Sequence, residues 1–206
     1  MTAKFNPHKH HRRSIRLPGY NYTGPGGYFI TICTYKHLPL FGKIVDGEMI
    51  LSLLGRIAVQ EWKRLDKRFP FLELGEFVVM PNHLHGILII NERGTAEDGF
   101  DTGTDQARRA RTREGEFDMG MDRHAPTREG FGCPVAGSIP TIVRSYKASV
   151  TLRVNRLRVR PNHPVWQRNY YEHVIRDKGD WERIATYVQN NPILWDKDQF
   201  NPDRMK

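Results

Sequence analysis

Two short stretches hold the residues that could do chemistry together. The first is Met80-Pro81-Asn82-His83-Leu84-His85-Gly86-Ile87-Leu88-Ile89-Ile90. It reads as a buried strand entered through a Pro-Asn turn. A strand alternates its faces, so His83 and His85 point one way and Leu84 the other. Paired imidazoles in an apolar strand cost free energy unless something uses them. A divalent metal is the natural user, because neutral imidazole is a common ligand. A pair of hydrogen-bonded structural histidines is the alternative. The second stretch is Tyr187-Val188-Gln189-Asn190-Asn191. Read as helix, it puts Tyr187 and Asn191 on one face, four residues apart. The Asn carbonyl oxygen can bind a metal, and the phenol can attack phosphorus. If this helix packs beside the histidine strand, one site holds two imidazoles, an amide oxygen and a phenol.

The elements that must position these groups follow from hydrophobic spacing. Tyr28-Phe29-Ile30-Thr31-Ile32-Cys33-Thr34 is rich in β-branched and aromatic residues after Gly26-Gly27, which predicts a strand. Residues 43–50 predict a small hairpin turning at Asp46-Gly47. Leu54, Ile57, Ala58, Trp62 and Leu65 recur at helical spacing up to Pro70. Residues 76–80 predict a second strand, paired antiparallel with the histidine strand. Ile142, Val143, Tyr146, Val150, Val154 and Leu157 predict a second long helix. Residues 164–168 are expected to form a short last strand, and 169–176 to lead into the final helix. Asp177 or Asp180 can cap that helix. Trp181, Ile184 and Val188 form its apolar stripe, and Asn191-Pro192 ends it. The order strand, helix, strand, strand, helix, strand predicts an α+β fold of the ferredoxin-like sandwich type, with one antiparallel sheet, two helices and an added C-terminal helix.

The remaining segments are of different texture. Residues 1–22 form a basic arm containing Arg12, Arg13 and Arg16, either a solvated tail or a phosphate-binding arm. From 91 to 137 apolar residues are few, and Gly, Asp, Arg, Glu and Thr dominate. Such a segment is expected to be a flexible insertion, since it cannot bury enough surface to offset its ordering entropy. The rest, 23–206, is expected to be a single domain.

The chain has 206 residues and a net charge of +9. A basic domain of this size points to an anionic partner, first of all nucleic acid. Arg144, Lys147, Arg168 and Arg176 join the arm as candidate phosphate contacts. Two cysteines, Cys33 and Cys133, make no disulfide framework or zinc cluster. No apolar run approaches the roughly 20 residues needed to cross a bilayer. No signal-peptide core is evident, so the expected compartment is the cytosol, beside the nucleoid. The absence of a phosphate-cradling Gly-rich loop ending in Lys-Ser or Lys-Thr argues against a nucleotide cofactor.

His83-Leu84-His85 resembles the histidine–hydrophobic–histidine signature of the HUH endonucleases. The Tyr187-x-x-x-Asn191 pair resembles the tyrosine and third metal ligand of the single-tyrosine transposases. Arg12-Arg13-Ser14-Ile15-Arg16-Leu17-Pro18-Gly19-Tyr20, the strand from Tyr28, Met80-Pro81-Asn82-His83-Leu84-His85, Val165-Trp166-Gln167-Arg168-Asn169-Tyr170-Tyr171-Glu172-His173-Val174-Ile175-Arg176 and Tyr187-Val188-Gln189-Asn190-Asn191-Pro192 are all similar to the REP-associated tyrosine transposase branch of that superfamily. His-x-His alone is a weak motif; five blocks in order are a strong one.

The resemblance implies a metal-dependent endonuclease and strand transferase of single-stranded or hairpin DNA. Tyr187 would be the nucleophile, forming a 5′-phosphotyrosine link. His83, His85 and Asn191 would hold Mg²⁺ or Mn²⁺. Insertion-sequence relatives carry Gln where this chain has Asn191, and they are dimers, whereas the REP-associated branch implies a monomer. Tyr170 and Tyr171 are rival nucleophiles, though Val174 and Ile175 stand four residues on, where neither can bind a metal. Two other readings stay open: a domesticated hairpin-binding protein that does not cut, and a phosphodiesterase that uses water.

Overall fold

The computed structural model describes residues 20–92, 135–158 and 163–204. Arg12, Arg13 and Arg16 lie outside these residues, as does nearly all of the insertion expected over 91–137. The elements are, in order, β1 (Gly26–Cys33), β2 (Gly42–Val45), β3 (Glu48–Leu51), α1 (Leu53–Trp62), α2 (Leu65–Arg68), β4 (Leu72–Val79), β5 (His83–Ile90), α3 (Ile139–Arg158), β6 (Tyr171–Ile175) and α4 (Lys178–Asn190).

Four strands form an antiparallel sheet in the order β4-β5-β1-β6. With helices between β1 and β4 and between β5 and β6, this is the ferredoxin-like topology. The alternation of each strand divides the core in two. Tyr28, Ile30, Ile32, Leu84 and Leu88 face α1 and α3, where Ile57, Trp62, Ile142, Tyr146 and Val150 complete the larger cluster. Phe29, Ile87 and Ile175 face the other way, against Ile184, Ala185 and Val188 of α4. Thus α4 covers the sheet face that also carries His83 and His85.

Local signals explain most element ends. Ser52 caps α1, its hydroxyl accepting from Gly55 N–H. Asp177 caps α4 in the same way, accepting from Asp180 N–H at 2.8 Å. Asp46 and Gly47 both take positive φ, as a tight β2–β3 hairpin requires.

The sequence expectation fails at the last strand. That strand is Tyr171–Ile175, paired with Gly27–Thr31 of β1, and not 164–168. Val165 and Trp166 are buried, but they meet β1 only at its end. The meeting is an isolated Thr34–Trp166 bridge with flanking bonds from Tyr35 N to Val165 O and from Gln167 N to Cys33 O. Apolar content there reflects burial of two side chains in the helical layer, not a ladder. The segment expected to lead into the helix is instead the sheet edge.

Candidate metal and tyrosine site

The site is built on β5 and roofed by α4. His83 pairs with Cys33 and His85 with Thr31 in the β1–β5 ladder, so both imidazoles emerge from the middle of the sheet. Both are buried, His85 at 2 % exposure. Their Nε2 atoms lie 3.1 Å apart. Each Nδ1 has its own partner: Asn82 Oδ1 at 2.9 Å for His83, and Thr31 Oγ1 at 2.8 Å for His85. Such outer contacts are what orient metal-binding imidazoles. Phe29 stacks on His85 from below, with ring centroids 5.4 Å apart.

Burial disfavours the imidazolium form of both histidines. It holds His83 well below its ordinary range, with the neighbouring His85 and His37 adding to the effect. It lowers His85 to about 3. Both rings are therefore neutral at pH 7, the state a metal requires.

The last turn of α4 brings Tyr187 over this pair. Its hydroxyl lies 3.2 Å from His85 Nε2 and the residue is 39 % exposed, so the phenol bridges the buried pair and solvent. Burial raises the Tyr187 pKa, the nearby Asp198 carboxylate raises it further, and a hydrogen bond with Asn191 opposes both. Asn191 is 2 % exposed. Its side chain is close enough to His83 and Asp198 to influence their protonation, and its Oδ1 has no hydrogen-bond partner. A buried carbonyl oxygen without a donor carries a desolvation cost that a cation would remove.

Asp198 completes the group, and the sequence reading did not include it. Its Oδ2 lies 3.7 Å from His83 Nε2. One ligand atom from each of His83, His85 and Asp198 falls within 4.8 Å of the others. Burial raises the Asp198 pKa, while the Phe200 N–H and Asn191 hold it down. These residues fit a divalent cation: two neutral imidazoles, one carboxylate and one unsatisfied amide oxygen. Little in the sequence marks Asp198. It stands seven residues past Asn191, in a loop where aspartates are common, and only the flanking Trp195 and Phe200 hint at burial.

The other sequence candidates are dispersed. Tyr171 sits on edge strand β6, half exposed, 6.4 Å from the Phe29 ring, and Tyr170 packs against the helical core. Arg144, Arg168 and Arg176 are exposed. Lys147 is half buried, and its ammonium donates to the carbonyls of Gln167 (2.5 Å), Arg168 (3.1 Å) and Asn169 (3.5 Å). Burial lowers its pKa to about 8. It fastens the loop that carries Arg168.

Fold and site together define a ferredoxin-like protein whose central strand presents a histidine pair beneath a tyrosine-bearing helix. The chain is 41 % identical, over 98 % of its own length and 100 % of the other's, to an uncharacterized protein of Haemophilus influenzae, and it belongs to one family with that protein. No family model matches the sequence. Two solved structures are similar to it at low identity. One is a REP-associated tyrosine transposase bound to a REP hairpin, at 16 % identity and a TM-score of 0.46, covering 82 % of this chain and 67 % of the other. The second is a Deinococcus radiodurans protein described as a candidate transposase, at 13 % identity and a TM-score of 0.42, covering 85 % and 95 %.

Proposed function

We propose that this chain is a divalent-metal-dependent endonuclease and strand transferase of hairpin-bearing single-stranded DNA, of the REP-associated transposase type. The observation that carries the reading is the Tyr187 hydroxyl 3.2 Å from His85 Nε2, itself 3.1 Å from His83 Nε2. A nucleophile and a prospective metal site meet where the half-exposed Tyr187 reaches the buried histidines. The five sequence blocks that resemble that branch support it independently.

In this reading Tyr187 Oη attacks the scissile phosphorus. The Oη–P bond forms, the bond from phosphorus to the 3′ oxygen breaks, the phenolic proton is lost and the 3′ oxygen gains one. The phosphotyrosine retains the bond for rejoining, so no nucleotide cofactor is needed. Mg²⁺ or Mn²⁺ held by His83, His85, Asp198 and Asn191 would supply positive charge that polarises the phosphate and favours the phenolate. The chain's own groups do the rest. Burial keeps both imidazoles unprotonated, Asn191 steadies the phenolate, and α4 fixes Tyr187 over the pair.

Labelled hairpin oligonucleotides with Mn²⁺ or Mg²⁺, run on a denaturing gel, test the reading. The wild type should cut the strand and carry a covalent adduct. Tyr187→Phe should lose both while still binding the hairpin, and its stability should change by less than about 1.5 kcal/mol, the usual worth of one hydrogen bond. Tyr170→Phe and Tyr171→Phe should keep both products. An adduct that survives Tyr187→Phe but not Tyr170→Phe or Tyr171→Phe puts the nucleophile elsewhere. Cleavage without any adduct would instead point to water as the nucleophile.

A further inference from the structure

Asn82 lies between the β4–β5 turn and the C-terminal segment, fully buried. Its amide nitrogen donates to two backbone carbonyls, Phe200 O at 2.7 Å and His37 O at 3.3 Å. Those two acceptors settle which way the amide faces, because the reverse orientation would set its oxygen against two other oxygens. Asn82 Oδ1 is then the atom that meets His83 Nδ1 at 2.9 Å. It can only accept, so His83 carries its proton on Nδ1 and presents a lone pair at Nε2, the atom that faces His85 and Asp198.

The same contacts run on to the carboxylate. Phe200 N–H donates to Asp198 Oδ1 at 2.6 Å, leaving Oδ2 toward His83 Nε2. The bonds thus run from His83 Nδ1 through the Asn82 amide and the Phe200 peptide to Asp198, whose Oδ2 lies 3.7 Å from His83 Nε2. The Asn82 backbone is held as firmly, its carbonyl accepting from Thr34 N–H at 2.8 Å and from Thr34 Oγ1 at 2.9 Å.

We propose that Asn82 is a positioning residue of the metal site: it selects the His83 tautomer and, through Phe200, holds the segment that aims Asp198. The proposal rests on the metal reading of the site above. An outer partner of this kind is worth about 10–100-fold in metal affinity where it has been removed from other sites.

Three measurements test it. Long-range ¹H–¹⁵N spectra of the metal-free wild type should show His83 protonated at Nδ1; protonation at Nε2 overturns the proposal without any mutation. Calorimetric titration with Mn²⁺ should show Asn82→Ala binding about 10–100-fold more weakly than wild type. Asn82→Asp keeps an acceptor for His83 but turns a carboxylate oxygen toward two carbonyls. It should retain the Nδ1-protonated tautomer while amide exchange at Asp198, Phe200 and Asn201 quickens. A purely structural Asn82 predicts lowered thermal stability with Mn²⁺ affinity unchanged in both variants, and that result also overturns the proposal. If the wild type binds no Mn²⁺, the metal reading fails. If the wild type binds Mn²⁺ and Asn82→Ala binds it equally well, the Asn82 proposal alone fails.

Discussion

At the scale of single residues, two buried neutral imidazoles tie stability to pH. His85 has a folded-state pKa of about 3, against about 6.5 for an unfolded chain. Between those values the unfolded state binds more protons than the folded state. Stability is therefore full above about pH 6.5 and falls as the pH drops toward 3, by up to about 1.4 kcal/mol per pH unit for one group. His83 acts in the same direction. Asp198 acts in the opposite one: its raised pKa lets the folded state take up a proton first, giving back part of the loss just above its unfolded value. Two histidines outweigh one carboxyl, so urea midpoints should decline from pH 7 to pH 4. His85→Gln should flatten that decline. A midpoint constant across this range would mean that the pair is hydrated or charged in the folded state.

At the scale of elements, β5 is the strand on which the site depends, and Gly86 shows how closely it is held. A Cβ there would fall 2.3 Å from Trp62 Cζ2 on α1. The indole fills the space a side chain would need, and Trp62 is itself wedged between Phe77 and Tyr146. Gly86→Ala should cost at least about 1–3 kcal/mol by overpacking, measured by denaturant unfolding, and because His85 is the next residue it should weaken Mn²⁺ binding too. Unchanged stability would mean that α1 can retreat from the sheet. Elements such as β5 were legible because their side chains carry period and chemistry together: His-Leu-His alternates, and Tyr187 and Asn191 are one helical turn apart. Two features were not. Residues 171–175 form an edge strand with half-exposed positions, which blurs the alternation, whereas Val165 and Trp166 are strongly apolar because they plug the helical layer. Asp198 reaches the histidines only through the chain's return past α4, a non-local contact without a local signal.

At the scale of the whole molecule, charge and sheet face separate binding from chemistry. The chain has a net charge of +9, and Arg144, Arg168 and Arg176 are among the exposed cationic side chains of the described residues, while the candidate site is built of neutral imidazoles, an amide, a phenol and one carboxylate. No helix among the described residues is long and apolar enough to cross a membrane. In the proposed function, then, hairpin affinity comes mainly from phosphate contacts that release counterions, and cutting comes from the buried group. Affinity for a labelled hairpin should fall steeply with salt, the logarithmic slope being roughly −0.7 to −0.9 per phosphate contacted. Arg168→Ala and Arg176→Ala stand on the loop before β6 and at its end, flanking the open edge of the sheet. Each should reduce the magnitude of that slope by about 1 and weaken binding uniformly across hairpin sequences. The fraction of bound strand converted to adduct should stay unchanged. Lys147→Ala should behave differently, because its ammonium is engaged with the carbonyls of residues 167–169. It should lower stability and loosen the Arg168 loop, and weaken binding without a matching loss of one counterion in the slope. If Arg168→Ala and Arg176→Ala leave the salt slope untouched, the strand enters the site from another side of the molecule, and the β6 edge is not its path.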